Sequence, residues 1–249
     1  MIRKYRDLII YESSGSNFVI ACDTSASIGE KEYDALSAPN EIVASFCLRV
    51  PLLELMAFNA EPILLINLFS NEMQPSGEKM LAAIHSELRK AGYENLPMTG
   101  STEENMPTYM TAMGIVILGT FDPMTAKWKA CKSGDLLVQV GRPYVGAEVL
   151  ENLTIIPGYE EIIYLRNLST VHEIVPIGSK GAIYEAKELA KLNNLEFFES
   201  YSDDDLDLHR KTAGPATSFL LAIDSAVLEK LQSKFTFVKI IGALGDLAI

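Results

Sequence analysis

Short apolar runs alternate with longer amphipathic stretches along this chain, and the change of period marks its elements. Phe18 to Cys22 is an apolar, β-prone run ending at Asp23, which predicts a buried strand delivering a carboxylate at its C-terminal end. A polar loop, Thr24 to Asp34, follows. From Pro39 the pattern turns helical to about Asn59, and Pro51 inside it predicts a kink or a break near Val50. Pro62 to Phe69 reads as a strand. Ser76 to Ala91 reads as an amphipathic helix with Met80, Leu81, Ile84 and Leu88 on one face and Gly92 at its end. A polar loop from Thr99 to Pro107 precedes a further strand, Tyr109 to Gly119, completing a β-α-β-α-β pattern.

The turn-rich stretch Asp122 to Thr125 places a domain boundary between Thr120 and Lys127, giving domains 1–122 and 123–249. In the second section, strands are predicted at Leu136–Val140, Val171–Ile177, Thr217–Ile223 and Phe235–Ile241. Helices are predicted at Lys180–Leu192 and Ser225–Gln232. Met56, Met73, Met80, Met98, Met106, Met110 and Met113 read as core filling, and Trp128 as packing at the domain joint.

Composition narrows the class. At 249 residues with 48% hydrophobic and 22% charged positions, the chain is long enough for two small domains and too apolar for wholesale disorder. A formal net charge of -12 disfavours nucleic acid and anionic membrane surfaces as partners. The most apolar stretch, Leu52 to Phe69, is interrupted by Glu54, Asn59, Glu61, Pro62 and Asn67, so no transmembrane helix is expected. Leu8 to Tyr11 is too short for a signal-peptide core, which makes a cytoplasmic location the expectation. Three scattered cysteines and three histidines give neither a disulfide framework nor zinc spacing.

Glu54 is the most informative residue by pattern. Between Ile42 and Ala60 the only other charged residue is Arg49, which at ~100° per residue lies about 140° away around a helix. A carboxylate among Leu52, Leu53, Leu55 and Met56 needs a cation, an arginine from elsewhere or protonation. Asp23 in Asp23-Thr24-Ser25 and the acids of Ser101-Thr102-Glu103-Glu104-Asn105 also suit an ordinary turn and a helix start. Taken together, Asp23, Glu54, Asn67 and Glu103 are hard oxygen donors within one β-α-β-α-β unit. They suit Mg²⁺, which most often serves a nucleotide's phosphates. There is no G-x-x-x-x-G-K-[ST] and no G-x-G-x-x-G; Gly178-Ser179-Lys180-Gly181, between a strand and a helix, is an anion-binding candidate. Asp203 to Asp205 with Asp207 reads as a solvated face.

These motifs resemble the aminoimidazole ribonucleotide (AIR) synthase, or PurM-like, superfamily over nearly the whole chain. Asp23 looks like the family's strand-terminal metal-binding Asp, and Leu53 to Pro62 like its Asn-Asp...Gly-Ala-Glu-Pro helix, with Glu54 at a metal position. Gly100 to Pro107 resembles the Gly-Gly-(Glu/Asp)-Thr...Met-Pro loop, with Thr102 in place of the acid and Glu103 one residue late. Within the superfamily, Ser101 to Pro107, Ser70-Asn71-Glu72-Met73 and Gly178 to Gly181 are similar to the α-ribazole kinases of cobalamin salvage.

The resemblance implies an α+β fold of two domains, the first ferredoxin-like and the second a smaller α/β domain, and a homodimer formed through the first domain's sheet. It further implies ATP and Mg²⁺ as cofactors, with Asp23, Glu54 and Glu103 on the metal. Asn67, Gly100, Ser101, Thr102, Gly178, Ser179, Lys180 and Gly181 would lie along the nucleotide, and Asn71, Glu72 and Arg142 at a small riboside whose 5′-hydroxyl is oriented by Asp34 or Glu104. Two alternatives are another ATP-dependent reaction of the superfamily, amide activation with ring closure, and an ATP-binding regulator without chemistry.

Overall fold

The computed structural model describes residues 1–13 and 15–247 and divides into two compact units, Met1–Leu55 with Ala60–Pro123, and Met56–Asn59 with Met124–Ile249. In chain order the first contains β1 (Ile2–Tyr5), β2 (Leu8–Glu12), β3 (Asn17–Ala26), β4 (Ile28–Gly29), β5 (Leu36–Ser37), α1 (Asn40–Phe58, whose last turn groups with the second unit), β6 (Glu61–Phe69), α2 (Glu78–Lys90), β7 (Met98–Ser101) and β8 (Ala112–Thr120). Its main sheet runs β1-β2-β3-β8-β6-β7, antiparallel except for the β6–β7 edge, and β4 and β5 form a separate parallel pair.

One face of this sheet packs under helix. Val19 and Ala21 of β3, Leu65 of β6, and Met113, Ile115 and Ile117 of β8 are buried with Leu48, Leu52, Leu55, Met80, Ile84 and Leu88 of α1 and α2. Burial of so many aliphatic side chains, each worth ~1.5–3 kcal/mol, is the main stabilising contribution. The opposite face also carries apolar residues, among them Ile9, Tyr11, Ile63 and Leu68, which stay exposed.

Three features depart from the pattern reading. β3 runs on to Ala26, so Asp23 lies inside the strand and not at its end. Its register with β8 continues to Ala26↔Ala112 because Thr24 and Ser25, though polar, have a paired backbone and the Thr24 hydroxyl donates to the Met113 carbonyl at 3.0 Å. α1 passes through Pro51 without a break: only one backbone donor is lost, and Cys47 to Phe58 lie buried apart from half-buried Val50. The β1–β2 hairpin, unassigned from sequence, closes through Arg6 and Asp7, with Tyr5 opposite Leu8.

The second unit contains β9 (Leu136–Val140), α3 (Ala147–Glu151), α4 (Tyr159–Arg166), β10 (Val171–Pro176), α5 (Ala182–Leu192), β11 (Leu195–Glu199), α6 (Asp203–Arg210), β12 (Phe219–Ile223), α7 (Leu228–Lys234) and β13 (Val238–Asp246). Its sheet, β10-β12-β9-β13-β11, is antiparallel throughout. α5 buries Ala182, Ala186, Leu189 and Ala190 against Leu137, Val175, Leu220 and Ile241. By residue count this unit is slightly the longer of the two, where the resemblance implies a smaller one.

Candidate active site

The register of the first sheet aligns the chemistry. Asp23 faces Ile115, Ile115 faces Asn67, and Asn67 faces Gly100, so one row crosses four adjacent strands, β3-β8-β6-β7. Alternation puts Asp23 on the side of buried Val19 and Ala21, and Asn67, itself buried, on the side of Leu65. Asn67 leans over Gly100 so closely that a methyl at Gly100 would overlap its Oδ1 and its carbonyl; a side chain-free residue is required there.

Asp23 is half-buried. Burial is the main reason its pKa rises to about 6, a hydrogen bond from the Thr24 backbone opposes the rise, and the nearby Asp7 carboxylate adds to it. Cys47 of α1 approaches the Asp23 carbonyl at 3.9 Å, and its thiol pKa is pushed up by burial and by the Asp23 charge. Asp7 arrives from the β1–β2 turn. A pair of carboxylates in this setting is a poor environment for its own charge and a favourable one for a cation.

Glu54 does not join this row. The Arg6 guanidinium donates to both of its oxygens at 2.8 Å, and the two side chains are only 5% and 6% exposed. Glu54 also lies seven residues beyond Cys47 along α1, two turns or about 10 Å. Of the answers open to a carboxylate in a leucine-rich stretch, the structure supplies an arginine from elsewhere. The buried Arg6 partner answers the Glu54 charge from within the protein, so we read Glu54 as half of a structural ion pair and leave it out of the proposed metal shell.

The predicted substrate and catalytic residues are mostly engaged in holding loops. Asn71 is fully buried: its amide donates to Thr108 Oγ1 (3.1 Å) and the Met110 carbonyl (2.9 Å) and accepts from the Ala112 N–H (2.8 Å). Asp34 accepts from the Thr111 N–H (2.7 Å), the Thr111 hydroxyl (2.7 Å) and the Lys31 N–H (2.8 Å). Both Asp34 oxygens thus accept from loop groups, three bonds in all, and both Asn71 amide hydrogens are committed to the 108–110 segment. Both side chains serve as loop anchors. Glu72 binds Lys31 Nζ (2.7 Å), Ser76 Oγ (2.5 Å) and Thr108 Oγ1 (3.1 Å). Burial alone would raise its pKa, but the hydrogen bonds from Lys31, Ser76, its own backbone and Thr108 outweigh it and hold Glu72 at about 2.

Ser101, the last residue of β7, is exposed, and Thr102, which opens the following loop, is half-buried. Glu103 Oε1 accepts from the N–H groups of Asn105 (2.8 Å) and Met106 (3.1 Å), and Glu104 Oε1 from that of Met73 (2.8 Å). Each therefore caps a turn with one oxygen. Met106 and Met110, read as core filling, are exposed instead, in the loop between β7 and β8.

In the second unit, Gly178 to Gly181 does form the turn between β10 and α5. Gly181 has φ +81, and a methyl there would meet the Arg210 carbonyl at 2.6 Å. The buried Glu185 carboxylate comes up against Gly178, a negative group already at the positive end of α5. Ser179 is exposed. Lys180, two residues before α5, reaches onto that helix, with Nζ 3.0 Å from Tyr184 OH and 4.2 Å from that ring's centroid. Arg142 stacks on Phe237 at 5.0 Å.

Among the described residues, no group of three or more histidine, cysteine, aspartate or glutamate side chains is arranged to hold a metal, and no helix is long and apolar enough to cross a membrane. Pattern reading misses Arg6, Asp7 and Lys31. The signal for the first two is present as two β-prone runs, Ile2–Tyr5 and Leu8–Tyr11, separated by two residues, a hairpin spacing.

Neither a family model nor a curated protein sequence matches the chain. Solved structures share its fold. Thiamine-monophosphate kinase from Aquifex aeolicus superposes with a TM-score of 0.66 at 12% identity, covering 98% of this chain and 90% of that one. The thiamine-monophosphate kinase of Stenotrophomonas maltophilia K279a gives 0.62 at 13% identity, with 98% and 90% covered. HypE of E. coli, a hydrogenase maturation protein, gives 0.63 at 16% identity, with 91% and 80% covered. The chain thus has the two-domain α+β fold of PurM-like proteins.

Proposed function

We propose that this protein is an ATP- and Mg²⁺-dependent kinase that transfers the γ-phosphoryl group to the 5′-hydroxyl of a small riboside, α-ribazole being the acceptor its sequence resemblance favours. The observation that carries the reading is the Asp23–Asn67–Gly100 row, in which the Asp23 and Asn67 side chains flank Ile115 on one face of a sheet of this fold. Structures sharing the fold were solved as a thiamine-monophosphate kinase with AMPPCP and TMP and as HypE with ATP. Those ligands support a nucleotide here.

The donors fit Mg²⁺ in kind, since Asp23, Asn67 and the second oxygen of Glu103 are all hard. With no protein cage of three ligands among the described residues, the ion would depend on nucleotide phosphates for the rest of its shell, which is how Mg²⁺ commonly binds. Bound there, it neutralises phosphate charge. Asp23 would hold it, Gly100, Ser101 and Thr102 would line the nucleotide, and the second oxygen of Glu104 is the remaining candidate to orient the acceptor hydroxyl. Positioning supplies most of the rate in such transfers. Glu72 belongs to the same proposal as lining of the acceptor; Gly178 to Gly181 are proposed by themselves as an anion-binding turn of the second unit, and Arg142 as a cation of that unit for an acceptor or phosphate. The exposed apolar face with Ile9, Tyr11, Ile63 and Leu68 supports a homodimer through the sheet.

The test is ³¹P NMR of the protein with Mg-ATP and α-ribazole beside a control lacking the acceptor. A new phosphomonoester matched by ADP is expected. ADP with free phosphate in both tubes, or no ADP in either, overturns the kinase reading.

A further inference from the structure

Two tyrosines of the first unit have no role in the core or in the Asp23–Asn67–Gly100 row. Tyr33 lies in the loop after β4 and Tyr109 in the loop before β8; they are 60% and 59% exposed. Their rings meet edge to face, with centroids 6.0 Å apart and planes at 66°. That arrangement uses the edge of one ring and one face of the other, so ring faces remain open to solvent. Met110 and Met106 are exposed beside Tyr109 in sequence.

Both loops are held rigidly from beneath. The Tyr33 N–H donates to the Tyr109 carbonyl at 3.1 Å, Lys31 Nζ donates to the Thr108 carbonyl at 3.1 Å, and Asp34 binds Thr111 through both backbone and hydroxyl. Asn71 fixes the Met110 carbonyl, and the Ser27 hydroxyl reaches Met110 Sδ at 3.3 Å. Two large rings displayed on so constrained a base lose little further entropy on meeting a ligand. The Tyr109 loop enters β8 at Ala112, whose partner Ala26 ends β3 and is followed, through β4, by the Tyr33 loop; along the strands that pair is three residues, about 10 Å, from the Asp23↔Ile115 pair, the length scale of a nucleoside.

We infer that Tyr33 and Tyr109 form a stacking platform for the planar heteroaromatic base of a nucleoside ligand. A π-face accepts any such base without regard to net charge, which suits a chain that is strongly acidic. The inference deepens the kinase reading and rests on it for the choice of probes. The base has two sources there, the adenine of ATP and the base of the acceptor riboside.

Calorimetric titration distinguishes them. Wild type, Tyr33→Leu, Tyr109→Leu and Tyr109→Phe are each titrated, with Mg²⁺, with a non-hydrolysable ATP analogue, α-ribazole, tripolyphosphate, adenosine and free 5,6-dimethylbenzimidazole. The Leu variants are expected to bind one base-bearing ligand about tenfold more weakly, to bind tripolyphosphate unchanged, and to be restored by Tyr109→Phe. Loss confined to the ATP analogue and adenosine assigns the platform to adenine, and loss confined to α-ribazole and its base assigns it to the acceptor.

Equal affinity of wild type and Leu variants for every base overturns the platform and leaves the kinase reading standing, as does dissociation of a dimer in the Leu variants with affinities unchanged. Tyrosine-dependent binding of a free base by a protein that yields no phosphomonoester upholds the platform while the kinase reading falls. Binding of no base at all by the wild type overturns both.

Discussion

Asp23→Asn is expected to make the protein more stable and less able to use Mg-ATP. The Asp23 carboxyl titrates near 3.8 when unfolded and at about 6 when folded, chiefly because it is half-buried. Below about pH 3.8 both states are protonated and Asp23 contributes no pH dependence. Between 3.8 and 6 the folded chain keeps a proton that the unfolded chain has released, so stability falls as pH rises; above 6 the full penalty applies.

A carboxyl raised from 3.8 to about 6 would, at ~1.4 kcal/mol for each tenfold change in proton affinity, cost the folded state about 3 kcal/mol. Water screens part of this for a side chain that is not fully enclosed, so the penalty is on the order of 2 kcal/mol. Removing the charge should therefore raise stability by about that amount at pH 7.5, a gain of roughly 4–8 °C in Tm for a chain of this size, and by almost nothing at pH 4. The assay is urea unfolding followed by circular dichroism in chelator-treated buffer from pH 4 to 7.5, paired with ADP release at saturating Mg²⁺. A stability difference that is the same at every pH, or a destabilised variant at pH 7.5, refutes the desolvation argument. Unchanged turnover removes Asp23 from the metal site.

Two further substitutions probe residues whose roles the structure changed or sharpened. Glu54→Gln leaves Arg6 buried without its counter-ion, so it should lose ~3–5 kcal/mol in calorimetric unfolding while the Mg²⁺ dependence of turnover stays put. The double change Arg6→Met with Glu54→Leu should recover most of that loss. Gly100→Ala forces Asn67 or β7 to move, and is expected to cut kcat/KM for ATP at least about tenfold. A Gly100→Ala enzyme with normal kinetics would show that Asn67 has no part in binding nucleotide.

Much of the fold is legible in the sequence because its strongest signals are local periodicities. β9 is read at its observed bounds, and α2 and α5 within two residues, since each combines a clear apolar pattern with clear ends. The misses are elements whose character is set by neighbours. β7 (Met98–Ser101) and β11 (Leu195–Glu199) are short edge strands whose sequences carry little alternation, and pairing alone makes them strands. β3 extends through Thr24 to Ala26 for the same reason.

The site divides along the same line. Asp23, Asn67 and Gly100 stand out as separate residues in the sequence, and only the register shows that they share one row. Glu54 shows the limit from the other side. Composition correctly demands a partner for a carboxylate among leucines, but a partner 48 positions away, supplied by a hairpin turn, is chosen by tertiary structure. Asn71 and Asp34 extend the point: polar side chains near a site are equally suited to gripping substrate and to gripping backbone. Which they do is decided by whether a neighbouring loop leaves N–H groups that need an acceptor, and here the 101–111 loop and the start of β8 leave several. That same demand explains the exposed tyrosines. A loop whose inward polar positions are committed to holding its shape leaves its apolar side chains on the outside, where Tyr33 and Tyr109 are available to a ligand.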